Sequence, residues 1–273
     1  MADLLQVVTF LSVGLLIIPG FPTQAAGDRQ LRPAAATPAP VQPQTPSTLF
    51  ARGETLLYTA LLNQLPAGDA EIRLRKEQQD GREIYRVSGQ ARTNELIDYL
   101  YQLRGTAEGM FTASGSTPLL FHLTYTGNGR PRELEVRYDA KTQTLRGSVK
   151  RKNKVTERSV PATDIYDPST ALYLFRSTDL TAGKPFQVEV FTGKERYRIT
   201  VQVIRKEDVQ LTSGTRPALR LHPMVFSLDD APQKNLLPDE TTLWVATDAT
   251  HTPLKLESFV PIGQVVVELS NGS

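Results

Sequence analysis

The sequence predicts a mainly-β protein: a single antiparallel, strongly curved sheet with one or two short helices packed on its concave side. Three observations carry that expectation. Apolar and polar residues alternate with period two through most of the chain beyond residue 49, the signature of strands with one buried and one wet face. Clusters of turn-forming residues separate these runs at hairpin spacing, which argues for an antiparallel meander. Two segments break the rhythm with helical periodicity, and a twisted sheet of this size must cover its apolar face with something.

The first run, residues 56–62, is apolar and bounded by Gly53 and by the turn signal Pro66-Ala67-Gly68-Asp69. Ala70, Ile72 and Leu74 then alternate with Glu71, Arg73 and Arg75, and residues 84–91 alternate likewise after an Asp80-Gly81 turn. Residues 119–126, 132–138 and 144–149 continue the pattern, with turns at Gly127-Asn128-Gly129 and Asp139-Ala140-Lys141. The basic run Lys150-Arg151-Lys152-Asn153-Lys154 follows and reads as a solvated hairpin tip, with contact to a polyanion or headgroup as the alternative. Later strands fall at residues 186–191, 195–204, 218–222, 241–247, 254–259 and 264–269. Of the two helical segments, residues 93–101 place Leu96, Ile97 and Leu100 on one side. Residues 167–174 begin with an Asp that accepts from the first turn and a Pro suited to the position just inside it, and Ala171, Leu172, Leu174 and Phe175 form an apolar stripe.

Ahead of the strands lie an apolar run at residues 4–21, the small-residue stretch Thr23-Gln24-Ala25-Ala26, and a proline-rich tract at residues 33–46. That layout divides the chain into a signal peptide or signal-like anchor (1–25), a Pro/Ala-rich disordered linker (26–48) and a single β-rich domain (49–273). The apolar run is 18 residues long and contains Gln6, Thr9, Ser12 and Gly14. A spanning helix takes about 20 mainly apolar residues, so a cleaved leader is favoured over a retained anchor or a buried helix. Asp3 is the only charged side chain ahead of the run, whereas export signals begin with Lys or Arg; a misassigned start codon accounts for the difference. The expected address is periplasmic or otherwise extracytoplasmic, in a bacterial envelope, with membrane contact only through a retained N-terminal segment.

The chain has no cysteine, which excludes disulfides, thiol chemistry and the lipid-modified cysteine of the usual bacterial lipoprotein. Its formal charge of +2, from 31 basic and 29 acidic residues interspersed, gives no electrostatic case for nucleic acid. His122, His222 and His251 lie far apart and show no metal-ligand spacing, so neither a metal nor a cofactor is expected. His122 and His222 read as hydrogen-bonded imidazoles within strands, and His251 as solvated in a turn. There is no Gly-x-Ser-x-Gly elbow and no phosphate-binding Gly-rich loop, and nothing in the sequence pairs the carboxylates across a sugar bond. The chain is therefore expected not to be an enzyme, and the sequence singles out no catalytic or ligand-binding residue. Its aromatics read mostly as core, although a curved sheet with an apolar concave face can line a cavity for a hydrophobic ligand.

The C-terminal cassette adds a resemblance. Leu243-Trp244-Val245-Ala246-Thr247-Asp248, then Pro253-Leu254-Lys255-Leu256, then Ile262-Gly263-Gln264-Val265-Val266-Val267-Glu268-Leu269 resembles the close of the domain-of-unknown-function 3108 family of exported bacterial proteins. Gly53-Glu54-Thr55-Leu56-Leu57-Tyr58 with Ala67-Gly68-Asp69-Ala70 resembles its opening hairpin, and Leu100-Tyr101-Gln102-Leu103-Arg104 the segment before its central strands. The run from Asp167 to Arg176 (DPSTALYLFR), followed by Leu180 and Gly183, resembles its helix. The resemblance implies a half-open antiparallel barrel with a helix in its mouth, similar to periplasmic carriers and sensors of lipoproteins or other greasy ligands. It implies no catalytic residue.

Three functions follow as expectations. The first is a non-catalytic binding or chaperone-like module for a lipid, an acyl chain or an apolar peptide. The second is a structural or interaction protein of the envelope without a small ligand, and a hydrolase of envelope polymers is a distant third. An apolar cavity on the scale of about 300–1,000 Å³ would favour the carrier.

Overall fold

The computed structural model describes residues 49–114, 117–180, 184–230 and 235–272. The expected leader and linker lie outside these residues, as does Gly183. The strands are β1 (Glu54–Leu62), β2 (Leu65–Gln79), β3 (Arg82–Thr93), β4 (Leu103–Thr112), β5 (Pro118–Gly127), β6 (Arg130–Asp139), β7 (Thr144–Arg151), β8 (Lys154–Pro161), β9 (Ile165–Tyr166), β10 (Phe186–Phe191), β11 (Arg196–Leu211), β12 (Gly214–Ser227), β13 (Thr242–Ala246), β14 (Pro253–Val260) and β15 (Gly263–Gly272). Two short helices interrupt them, α1 (Glu95–Asp98) and α2 (Pro168–Arg176).

All fifteen strands join one sheet in the order β8-β7-β6-β5-β4-β3-β2-β1-β15-β14-β13-β12-β11-β10-β9, bent into a nearly closed barrel. Pairing is antiparallel except between β9 and β10. The chain between those two crosses over through α2, and parallel neighbours need such a crossover.

The two edges of the sheet meet at a seam. Chain connectivity closes one part of it, from β8 through residues 162–164 into β9. Elsewhere backbone meets backbone: a Cβ on Gly147 of β7 would fall 2.3 Å from the Cα of Gly193 in the β10–β11 turn. Gly193 itself has φ +98, in the region that favours glycine. Arg158 of β8 reaches over the seam to Asp229, at 2.6 and 2.9 Å, and to the Lys194 carbonyl at 2.8 Å. Asp229 also accepts from the backbone N–H and guanidinium of Arg196, at 2.8 and 3.1 Å. The Arg158 hydrogen bonds, with those of Arg196, hold the Asp229 carboxyl far below the usual carboxylate range.

One end of the barrel is plugged by α2, every residue of which is buried. Asp167 caps it, accepting from the N–H groups of Ser169 and Thr170 at 2.8 and 3.2 Å, and Pro168 opens the first turn. Glycine lets the plug seat: a Cβ on Gly109 of β4 would lie 2.0 Å from Ser169 Oγ. At the other terminus of α2, the fully buried Arg176 donates to both Glu54 oxygens, to the Thr250 carbonyl (3.0 Å) and to Thr252 Oγ1 (3.2 Å). Tyr173 also donates to Glu54, at 2.8 Å. Phe50 lies edge-on to Tyr173 at 5.1 Å, and the Arg176 guanidinium sits 4.9 Å from the Phe50 ring centroid. A buried charge in such a place is tolerable only with every donor engaged, and here each of its nitrogens is.

Several expectations need correction. Pro66-Ala67-Gly68-Asp69 is not a turn but part of β2; the chain reverses at Asn63 and Gln64, with φ +49 and +68. The proline sits at an irregularity between Ala60 and Leu61 of the partner strand, where a missing ladder donor is tolerated. Strands β4 and β8 carried no apolar alternation. The inward positions of β4 between Leu103 and Phe111 are the small Gly105, Ala107 and Gly109, and β8 is a polar edge strand. In α1 only Ile97 is buried, while Leu96 and Leu100 face solvent. His251 is not solvated: it is half-buried, its Nδ1 lies 3.1 Å from the Arg176 carbonyl, and burial pushes its imidazole down. His122 and His222 do bond as expected, to Glu133 and to the Thr241 carbonyl. The turns at Asp80-Gly81 and Asn128-Gly129 stand, as does the basic hairpin tip with Lys152 at φ +53.

Candidate functional site

Opposite the plug, the barrel ends in an apolar mouth. The β1–β2 and β14–β15 turns, α1 and the β5–β6 turn all lie at this end. Between them opens a cavity of about 70 Å³, whose wall includes Tyr58, Leu62, Ile97, Leu103, Val260 and Val265. Small residues make the space, namely Ala60, Ala67, Gly68, Ala70 and Ala91. Gly68 has no alternative, because a Cβ there would lie 2.2 Å from the Arg92 carbonyl. Around the opening the rim is apolar and wet: Tyr99 is 92% exposed, Leu100 64%, Leu96 59%, Leu65 56% and Ile262 40%. Exposed apolar groups gathered round a cavity mark a binding surface more than scattered ones do.

Local bonding holds this rim in place. Asn63 of the β1–β2 turn donates to the Ile262 carbonyl (3.0 Å) and accepts from the Gln264 N–H (2.9 Å), stitching two turns together. Asn94 caps α1, accepting from the Ile97 N–H at 3.0 Å and donating to the Pro66 carbonyl at 2.6 Å. Asp98 anchors the same turn to Arg104 at 2.6 Å, and the hydrogen bonds from Arg104 and Thr93 hold its carboxyl at about 2. The β5–β6 turn docks through Asn128, which accepts from the Gln102 N–H at 2.9 Å.

Register extends the mouth around the barrel. Tyr58, Ala70, Ala91, Gly105, Tyr125, Arg132, Arg151 and Lys154 are paired in succession across β1 to β8, so they share the inward face. The row is small and apolar as far as Gly105 and basic beyond Tyr125. A second cavity of about 30 Å³ lies deeper, against α2, and shares Tyr58 and Val267 with the first. Burial pushes the Tyr58 phenol up, and its hydroxyl donates to the Pro253 carbonyl at 3.1 Å. The outer face of β1–β5 carries a broad open groove of about 710 Å³, whose lining includes Glu71, Gln90, Arg92, Arg104 and Thr124.

None of these features is a catalytic constellation. Asp167 is fully buried, with burial pushing its carboxyl up, and it is spent on the α2 cap. Among the described residues no group of three or more His, Cys, Asp or Glu could hold a metal, and no helix is long and apolar enough to cross a membrane. Sequence reasoning grouped Leu96 and Leu100 with Ile97 on one side of a helix and so missed the rim, since only Ile97 is buried. The adjacent Tyr99 and Leu100, in a segment too short to bury both sides, were the available signal.

Sheet order and plug define a class, the β-barrel-like domain. The sequence pattern described as protein of unknown function (DUF3108) matches residues 57–270, and the chain belongs to that family. A β-barrel-like protein of the DUF1849 domain of unknown function from Brucella abortus has a similar fold, with a TM-score of 0.54 at 10% identity over 81% of this chain and 97% of that one. A candidate lipoprotein from Parabacteroides distasonis matches with a TM-score of 0.35 at 9% identity, over 81% of this chain and 95% of that one. A candidate exported protein with a YmcC-like fold from Bacteroides fragilis matches with a TM-score of 0.33 at 6% identity and the same coverage. No curated protein matches the chain.

Proposed function

We propose that this chain is an exported, non-catalytic module of the bacterial cell envelope that seats the end of an acyl chain, or one apolar side chain of a peptide, in its mouth. The observation that carries this reading is the apolar cavity, lined in part by the exposed Ile262 and flanked by the segments that carry exposed Leu65, Leu96, Tyr99 and Leu100. The leader-like segment at residues 4–21 supports the address. Size sets the mode of binding. Drug-sized ligands occupy pockets of about 300–1,000 Å³ and benzene fits an engineered cavity of about 150 Å³, so a space of about 70 Å³ takes a chain end and not a whole lipid. A carrier that engulfs its cargo is thereby disfavoured.

Titration with decyl maltoside below its micelle concentration, followed by calorimetry, tests the reading. Saturable binding is expected, and Ala91→Leu, which fills the cavity, should weaken it at least about tenfold, the worth of a buried chain segment. Absence of binding, or equal binding by that variant, overturns it. A protein contact in the envelope is a second reading, favoured by the 92% exposure of Tyr99. A photocrosslinker at position 99 that captures one envelope protein, in the absence of decyl maltoside binding, would establish it instead.

A further inference from the structure

We infer that the pole bearing the mouth docks on an anionic lipid bilayer, its apolar rim entering the interface and the neighbouring basic turns lying on the headgroups. This goes beyond the seating of a chain end, because docking uses the side chains around the cavity and not the cavity itself.

Antiparallel order sorts the turns of this sheet between two poles. Of the large apolar side chains exposed among the described residues, all but Leu57 and Ile204 fall at the mouth pole. Leu65 follows the β1–β2 turn, Leu96, Tyr99 and Leu100 lie between β3 and β4, and Phe259 and Ile262 lie at the β14–β15 turn. Val155, the second residue of β8, stands beside the basic hairpin tip. At the plugged pole the β2–β3, β6–β7 and β11–β12 turns carry Asp80, Lys141 and Thr212 instead. Large apolar groups exposed together mark a surface of interaction. Their spread over separate turns suits a fluid bilayer, which accepts any arrangement of tips, better than a fitted protein groove. From β15 at the β14–β15 turn to β8 the wall runs eight strand spacings, about 40 Å, wider than any one small ligand.

Charge chooses the kind of membrane. Arg130 at the start of β6, and Lys152 and Lys154 at the β7–β8 tip, are exposed at this same pole, next along the wall from the rim. The carboxylates of the pole are paired or set apart. Asp98 is held by Arg104, Glu195 by Lys194, and Asp229 by Arg158 and Arg196. Glu95 is exposed beside the rim, whereas Asp230, Asp239 and Glu240 lie in the β12–β13 connection, across the barrel from the basic tip. An arc from β14 to β8 is therefore apolar and then basic. Exposed Leu and Tyr settle at a membrane interface, and clustered Lys and Arg are drawn to anionic lipid.

The chain lacks cysteine, so one introduced cysteine carries an environment-sensitive dye without background. Full chain labelled at Leu100→Cys is mixed with vesicles of phosphatidylcholine, alone or with phosphatidylglycerol, and compared with chain labelled at Lys141→Cys on the plugged pole. The dye at position 100 should shift to the blue at least about fivefold more readily with the anionic vesicles, and the dye at position 141 should not respond. Leu96→Asp should weaken docking at least about tenfold, the worth of one buried leucine, and Lys152→Gln and Lys154→Gln about fivefold each. All three positions are exposed, so melting temperatures should stay near the parent's. No shift at position 100, or equal shifts at both positions, overturns docking by this pole even where the chain sediments with vesicles through residues 4–21. Equal response to neutral and anionic vesicles overturns the choice of membrane. A shift produced by envelope protein extract and not by vesicles gives the rim to a protein partner and overturns the inference outright. Decyl maltoside binding is scored apart: where it persists without docking only the bilayer falls, and where docking persists without it only the chain-end reading falls.

Discussion

The two ends of this barrel bury space in opposite ways. At the plugged end a whole helix is inside, and the polar groups it brings are met one by one: Asp167 by Ser169 and Thr170, Arg176 by Glu54, Thr250 and Thr252. At the mouth the charged contacts, such as Asp98 with Arg104, lie at the surface. Small residues leave a cavity, and large apolar ones stand in water around it. The difference teaches where specificity and stability reside. The plugged end is over-determined and serves to hold the barrel shut, whereas the mouth has apolar surface left to give to something else.

The largest test of that contrast is Arg176→Met. Removing one partner of a buried ion pair strands the other, so urea unfolding should show a loss of about 3–5 kcal/mol, with Glu54→Gln added recovering part of it. A loss below about 1 kcal/mol would mean that the plug is wet and the contrast false. Next in size is a matched pair of truncations: Leu172→Ala within the plug should cost about 2–5 kcal/mol, and Leu96→Ala on the rim should lie within about 0.5 kcal/mol of the parent. Similar costs at both ends would break the comparison.

The smallest expected effect lies between the two ends, at the seam. The Asp229 carboxyl has a folded pKa below its unfolded value, so its contribution is complete above about pH 4 and is lost as pH falls through the folded value. Melting temperature followed against pH should show Asp229→Asn less stable than the parent at pH 6, by about 0.5–1 kcal/mol for partly exposed pairs, with the gap closing in strong acid. A gap that persists unchanged to pH 2 would assign the seam to packing alone.

Much of this architecture is legible in the sequence because alternation survives wherever one face is buried against large side chains. Residues 84–91 and 264–269 belong to strands found at those places, and Asp167-Pro168 announces its helix. What escaped did so for physical reasons. Between Leu103 and Phe111 the inward side of β4 carries only the small Gly105, Ala107 and Gly109, so no run of large alternating apolar residues marks it. Pro66 reads as a turn because its place beside an irregularity is settled by the register of β2 on β1, which residue types alone do not give. The mouth was illegible for a related reason: a cavity is a property of facing walls, and Leu96 and Leu100 look like core until it is known that nothing covers them. The cation row needed register, since Arg132 and Arg151 lie far apart in sequence and meet only through the β6–β7 ladder.

One feature of the plugged end also fixes the pole at which the chain enters the barrel. Phe50 is wedged against Tyr173 just before β1 begins, and β1 then runs its nine residues, about 30 Å, to reach the mouth. Everything that precedes residue 49 in the chain therefore joins the barrel at the pole away from the opening. The chain thus enters through its sturdier pole, and the opening stands a full strand length from that entry, like a bell and its crown.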